Sequence, residues 1–190
     1  MFGSNDRRDH WHRRFQDRVA PDQNDVDFTD YAVACTVTLC GPGIFDYNYI
    51  MNAINASSFY DNLVATYESI LTHAHNAQVY VSGCPYMATQ TSDVCGFDDL
   101  TGTWAVESQL NAVISGAVND VRAAISTGLP TTHLHYVDPT LSSSPFAGKY
   151  LCNGGASDFN GLNLAHREYS FHPDAAGQQD FASVFVSQMP

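Results

Sequence analysis

Basic residues nearly vanish from this sequence after its first two dozen positions. Of eight Lys and Arg in 190 residues, Arg7, Arg8, Arg13, Arg14 and Arg18 come before residue 24, and only Arg122, Lys149 and Arg167 follow. Residues 25–190 thus set three basic residues against sixteen acidic ones, a formal charge of −13 in a chain whose total is −12. Such a surface gives phosphate-backbone binding no electrostatic support and excludes nucleic acid as a partner class. Long apolar runs are missing as well. None approaches the roughly 20 residues of a membrane span, so no stable membrane insertion is expected. The five cysteines form no CxxC pair and no zinc spacing, which excludes a structural metal. Charged residues are only 15% against 44% hydrophobic, a balance unlike that of a disordered tail or a coiled coil. At this length, one soluble domain with a real core is expected.

What is present divides the chain unevenly. The opening MFGSNDRRDHWHRRFQDRVAP shows neither helical nor alternating period and no apolar stretch of the secretory kind. It reads as a basic arm, residues 1–23, outside a domain of residues 24–190. Cys35 and Cys40 bracket a short TVTL loop, while Cys95 and Cys152 lie in Gly/Asp/Asn-rich loops and Cys84 ends an apolar strand. The economical reading is two disulfides, Cys35–Cys40 and Cys95–Cys152, with Cys84 as the odd thiol. That reading favours an oxidising, extracellular compartment. The sequon Asn55-Ala56-Ser57 points the same way.

Helices and short strands alternate along the domain. SSFYDNLVATYESILTHAHNA opens on Ser57 or Ser58 as an N-cap and sets Leu63, Tyr67, Ile70 and Leu71 at helical spacing. QVYVSGCP follows as a buried strand. Trp104–Ile125 reads as a helix with Leu110, Val113, Ile114, Ala117, Val118 and Val121 on one side, closed by Gly128 and Pro130. HLHYVDP is a second strand, and HPDAAGQQDFASVFVSQM is a last helix started by Pro173, with Phe181, Val184 and Phe185 along one face. This rhythm is that of an α/β protein with a parallel sheet.

Chemistry concentrates near the C-terminus. In Glu168-Tyr169-Ser170-Phe171-His172-Pro173 a histidine sits on a loop directly ahead of a helix, where a ring with a pKa near neutrality suits a general base. Most of the eight histidines have no such setting. His73 and His75 face different directions at a helix end, where the C-terminal dipole favours them. His133 and His135 share a strand face near Asp138, but with no third ligand placed by sequence they read as structural. The 21 Phe and Tyr could line an acyl or sugar pocket, with core packing the commoner use.

The block SFHP-x-x-x-G-Q resembles the last sequence block of the SGNH hydrolases, the GDSL-like esterases and lipases, whose His is the catalytic base. Gln23-Asn24-Asp25-Val26-Asp27-Phe28-Thr29-Asp30 followed by Cys35 resembles their Gly-Gly-Asn-Asp block, and YVSGCPYM, Cys95, HLHYVDPT and FAGKYLC follow in the order of secreted fungal and actinobacterial members. The resemblance covers about residues 24–190. It implies a three-layer α/β/α sandwich with a parallel sheet, N-terminally truncated so that the first strands are missing. It also implies hydrolysis of carboxylic esters with His172 as base and Asn24 as oxyanion-hole donor.

The sequence departs from the family pattern at three places. Asp22 and Gln23 replace the two glycines before Asn24, and charged RRFQDRVAP stands where a hydrophobic strand is expected. The Gly-Asp-Ser-Leu block with the nucleophilic Ser has no counterpart in these 190 residues; Gly3-Ser4-Asn5-Asp6 is a decoy with neither strand nor spacing. Three residues before His172 stands Tyr169, which leaves Glu168 or a main-chain carbonyl to orient the imidazole. The resulting expectation is an SGNH-type esterase or lipase that is inactive as this isolated chain. Its substrate would be a small-molecule, lipid or carbohydrate ester, and neither metal nor organic cofactor is needed. The rival is a non-catalytic binding module on a degenerate form of the same fold.

Overall fold

The computed structural model describes residues 47–89, 100–124, 128–151, 153, 156–161, 165 and 170–189. Two helices open it, α1 (Tyr47–Ile54) and α2 (Ser57–His73). Strand β1 (Val79–Ser82), helix α3 (Leu100–Ala123), a 3-10 turn (Thr131–His133), strand β2 (Leu134–Val137) and helix α4 (Ala175–Gln188) follow. The two strands pair in parallel, Val79 beside Leu134 through Ser82 beside Val137. Both strands lie where β-branched and aromatic residues led the sequence to place them.

Alternation along the strands assigns the layers, because successive side chains leave a strand on opposite faces. Val79 and Val81 of β1 and Leu134 and Tyr136 of β2 pack with Tyr67 and Leu71 of α2 and Ala117, Val118 and Val121 of α3. Tyr80 and Val137 face the other way, into a second core with Phe181, Val184 and Phe185 of α4 and with Met87, Phe146, Leu151, Phe159 and Phe171. Helices cover both faces, as a parallel sheet requires. The described residues thus form the α/β/α arrangement expected from the sequence.

Several local expectations shift. Ala56, extended at φ −63° and ψ 132° and without a side-chain cap, precedes α2, so Ser57 and Ser58 are its first helical residues rather than its cap. Ile70 is 39% exposed while its neighbour Leu71 is fully buried, so the apolar stripe on α2 is narrower than its spacing suggests. Helix α3 begins four residues earlier than Trp104 and ends at Ala123. Pro173 does not open α4. Asp174 caps it, its side chain accepting from the amides of Ala176 and Gly177 at 2.8 and 2.9 Å. His133 closes the 3-10 turn, leaving only His135 within β2. Asn55 of the sequon is exposed between α1 and α2, its side-chain oxygen accepting from Gln109 at 2.7 Å. No described helix is long and apolar enough to cross a membrane.

Candidate functional site

Both strands lead from the same end of the sheet into the segments that build the site. After β1, residues 83–89 are fastened from the side by α3. The Asn111 amide brackets Cys84, accepting from its N–H at 2.7 Å and donating to its carbonyl at 2.8 Å. One turn earlier, both carboxyl oxygens of Glu107 accept from the Met87 amide at 3.2 Å. Glu107 is 3% exposed, and burial pushes its carboxyl well above the ordinary range against the pull of the Met87 amide. A carboxyl with a raised folded-state pKa favours folding most when the unfolded chain is also protonated, and that contribution is lost as pH rises through the folded value. Glu107→Gln, which cannot ionise, is therefore expected to melt increasingly above the parent as the pH is raised from 5 to 9, as read by thermal denaturation. A constant offset across that range would contradict a neutral Glu107.

After β2, Asp138 accepts from the amide and hydroxyl of Thr140 at 2.8 and 2.6 Å, and Gln188 of α4 holds the Asp138 main chain with two bonds of 2.9 and 2.8 Å. The Leu151 amide donates to the Met87 carbonyl at 2.9 Å and ties the two post-strand segments together. Between them opens a cleft of about 390 Å³. Tyr86, Trp104, Phe146 and Tyr150 give it aromatic walls, Thr89, Thr140 and Ser142 add hydroxyls, and among the described residues no Asp, Glu, His, Lys or Arg lines it. Such composition suits a neutral ligand with an apolar body.

His172 lies on the segment entering α4, half-buried, between a residue locked in the core and a proline. Phe171 adopts φ +65°, a left-handed backbone that costs a side-chain-bearing residue about 1–2 kcal/mol. Its ring, 7% exposed, is held in the second core with Met87, Phe146 and Val184. Ser170 before it is fully buried. Opposite runs the segment 158–160. The Asn160 amide and side-chain Nδ2 both donate to the His172 carbonyl, at 2.9 and 3.2 Å, and the Phe171 amide donates to the Asn160 carbonyl at 3.1 Å. Phe159 and Pro173 form an antiparallel bridge, and the Asp174 amide reaches the Asp158 carbonyl at 2.8 Å.

This second segment is anchored by the chain's sole lysine. Lys149 Nζ pairs with Asp158 at 3.3 Å and with Asp180 of α4 at closer range. The Asp158 side chain is 4% exposed. Burial, reinforced by Asp180, pushes its carboxyl up to about 6. Asp180 also feels burial, but its bonds with Lys149 and Asp158 hold it below the usual carboxylate range. A lone cation between two acids in so acidic a chain was the available signal for this cluster, and sequence reading passed over it. Asn160, Glu107 and Asn111 were likewise missed, since Asn and Glu in such positions have no distinguishing pattern.

Three other described histidines have structural work. His73 Nδ1 donates to the Ser69 carbonyl at 2.8 Å, His133 Nδ1 to the His75 carbonyl at 3.1 Å, and His135 Nε2 to the Gln78 side chain at 2.7 Å. His135 also stacks on Tyr80, centroids 4.9 Å apart. Among the described residues, no three His, Cys, Asp or Glu gather as metal ligands. Asn24, Glu168, Ser4, Cys35, Cys40, Cys95, Cys152 and the arm of residues 1–23 lie outside the described residues. Of the sequence-assigned site, His172 is therefore the member the structure places.

No protein-family model matches the chain, and no curated protein does. Among solved structures, an extracellular lipase from Streptomyces rimosus shares its fold, with a TM-score of 0.60 over 87% of this chain at 22% identity. The chain spans 66% of the length of that lipase. The fold is α/β with a parallel sheet, like that of this lipase.

Proposed function

We propose that this chain carries the base-bearing side of an SGNH-type ester hydrolase acting outside the cell. The supporting observation is His172, half-buried on a strained, doubly fastened segment whose Phe171 ring packs in one core with Val137 at the end of β2, in a fold shared with an extracellular lipase. In this reading His172 takes the proton from a Ser hydroxyl as it attacks the ester carbonyl, then returns it to the departing alcohol. Asn24 donates to the oxyanion, and Glu168 or a main-chain carbonyl orients the imidazole. The uncharged aromatic cleft beside the strand ends takes the acyl or alcohol part of a neutral ester, lipid or carbohydrate. These 190 residues hold no Gly-Asp-Ser-Leu block, so the attacking Ser of this reading is not among them.

The test joins the first strands of an SGNH hydrolase, with their Gly-Asp-Ser-Leu block, ahead of Asn24. The 190-residue chain alone is expected to leave p-nitrophenyl esters at the background rate, and the joined protein to exceed it by roughly 10³-fold or more. Absence of the Gly-Asp-Ser block favours one other reading, a non-catalytic binding module on the same fold. A folded joined protein that stays inert would support that reading and overturn this one.

A further inference from the structure

We propose that Asn160 is the positioning residue for His172, held in place by Lys149 through Asp158. This rests on the reading of His172 as a base, and adds to it the groups that fix where the ring stands.

Three observations converge. Both chain neighbours of His172 are immobilised, Phe171 by its core-held ring and Pro173 by its own ring and its bridge to Phe159. A residue before proline is also confined to extended backbone. Its imidazole is left with only its two side-chain torsions. Next, the His172 carbonyl receives two donors from one residue, the amide and Nδ2 of Asn160. A single donor would satisfy that oxygen; two occupy both lone pairs and fix the plane of the peptide that follows the histidine. Finally, residues 158–160 do not stand alone. The Asp158 carboxylate is tied to Lys149 and its carbonyl to the Asp174 amide, so the same short segment grips the chain on both sides of Pro173. A turn that carries backbone strain at Phe171 persists only when its surroundings over-determine it, and these bonds do so.

The experiment is carried out on the full chain, labelled with 13C at histidine Cε1, by NMR. Asn160→Asp keeps shape and backbone donor but removes the Nδ2 donation. It is expected to shift or split the His172 signal while leaving those of His133 and His135 in place. Asn160→Ala serves as the second variant should the added carboxylate prevent folding, and Lys149→Arg, which retains the cation, should leave the His172 signal where it is. In the joined protein described above, Asn160→Ala should lower kcat roughly tenfold to hundredfold with little change in KM. Unchanged His172 signals in both Asn160 variants would overturn the positioning role whatever the activity. A shifted His172 signal in an inert joined protein would instead sink the ester-hydrolase reading and leave the positioning of His172 standing.

Discussion

Gly177→Ala is expected to lower the stability of this protein by about 2–3 kcal/mol, although alanine is the better helix former. A Cβ at this position would lie 2.2 Å from the Asp158 carbonyl oxygen and 2.9 Å from Pro173 Cβ, so main chain must move to admit it. The displaced segment is 158–160, which grips His172. The same substitution within α3 should have the opposite sign. At Gly116 a Cβ would meet Tyr60 no closer than 3.6 Å, and Gly116→Ala is expected to gain about 0.5–1 kcal/mol from helix propensity alone. Thermal melts of the two variants decide the matter. At this chain length each kcal/mol shifts Tm by about 2–4 °C, so the two should separate by several degrees on either side of the parent. If both variants gained stability, the close packing of α4 on residue 158 would be wrong.

Lys149→Met should cost about 2 kcal/mol at pH 7.5 and much less at pH 5. Removing one partner of a buried ion pair costs about 3–5 kcal/mol when burial is complete. Lys149 is 36% exposed, so screening reduces that figure. The pH dependence follows from the two acids. Asp158, raised to about 6, stabilises the fold by holding a proton, a contribution present at low pH and lost as pH rises through 6. Asp180, held below the usual range, contributes above the ordinary carboxylate pKa and loses that as pH falls. Without the cation, which itself lowers Asp158, the two adjacent carboxylates repel once the pH is high enough to ionise both, whereas a shared proton relieves them at pH 5. Asp158→Asn in the Lys149→Met background should therefore recover much of the loss at pH 7.5. Equal destabilisation at both pH values would show that Lys149 acts through packing alone.

The legible parts of this fold were those written in apolar periodicity. Val79–Ser82 and Leu134–Val137 carry the β-branched and aromatic residues of buried strands, and α2 and α3 the stripes that meet them. Helix ends were less legible. A cap is a matter of one side chain reaching two amides, and Asp174 does so where Pro173 drew the eye. Of the residues the sequence assigns to a site, His172 alone falls among the described residues, and its neighbours in the chain are what singled it out. The spaced glycine of SFHP-x-x-x-G-Q has its physical reason in the contact of Gly177 with the Asp158 carbonyl, nineteen positions earlier. Sequence spacing cannot express that contact, nor the pairing of Asn160 with His172 or of Lys149 with Asp180, because each is made by the tertiary fold.

If His172 is the one base among the eight histidines, the direct measurement is ester hydrolysis by the joined protein with single histidines replaced. His172→Ala should reduce kcat/KM roughly 10³–10⁴-fold, the loss expected when the base of a serine hydrolase is removed. His133→Ala, which breaks only the bond to the His75 carbonyl, should stay within about twofold of the parent once folding is verified. Hydrolysis that survives His172→Ala, or falls equally in both variants, would contradict the account.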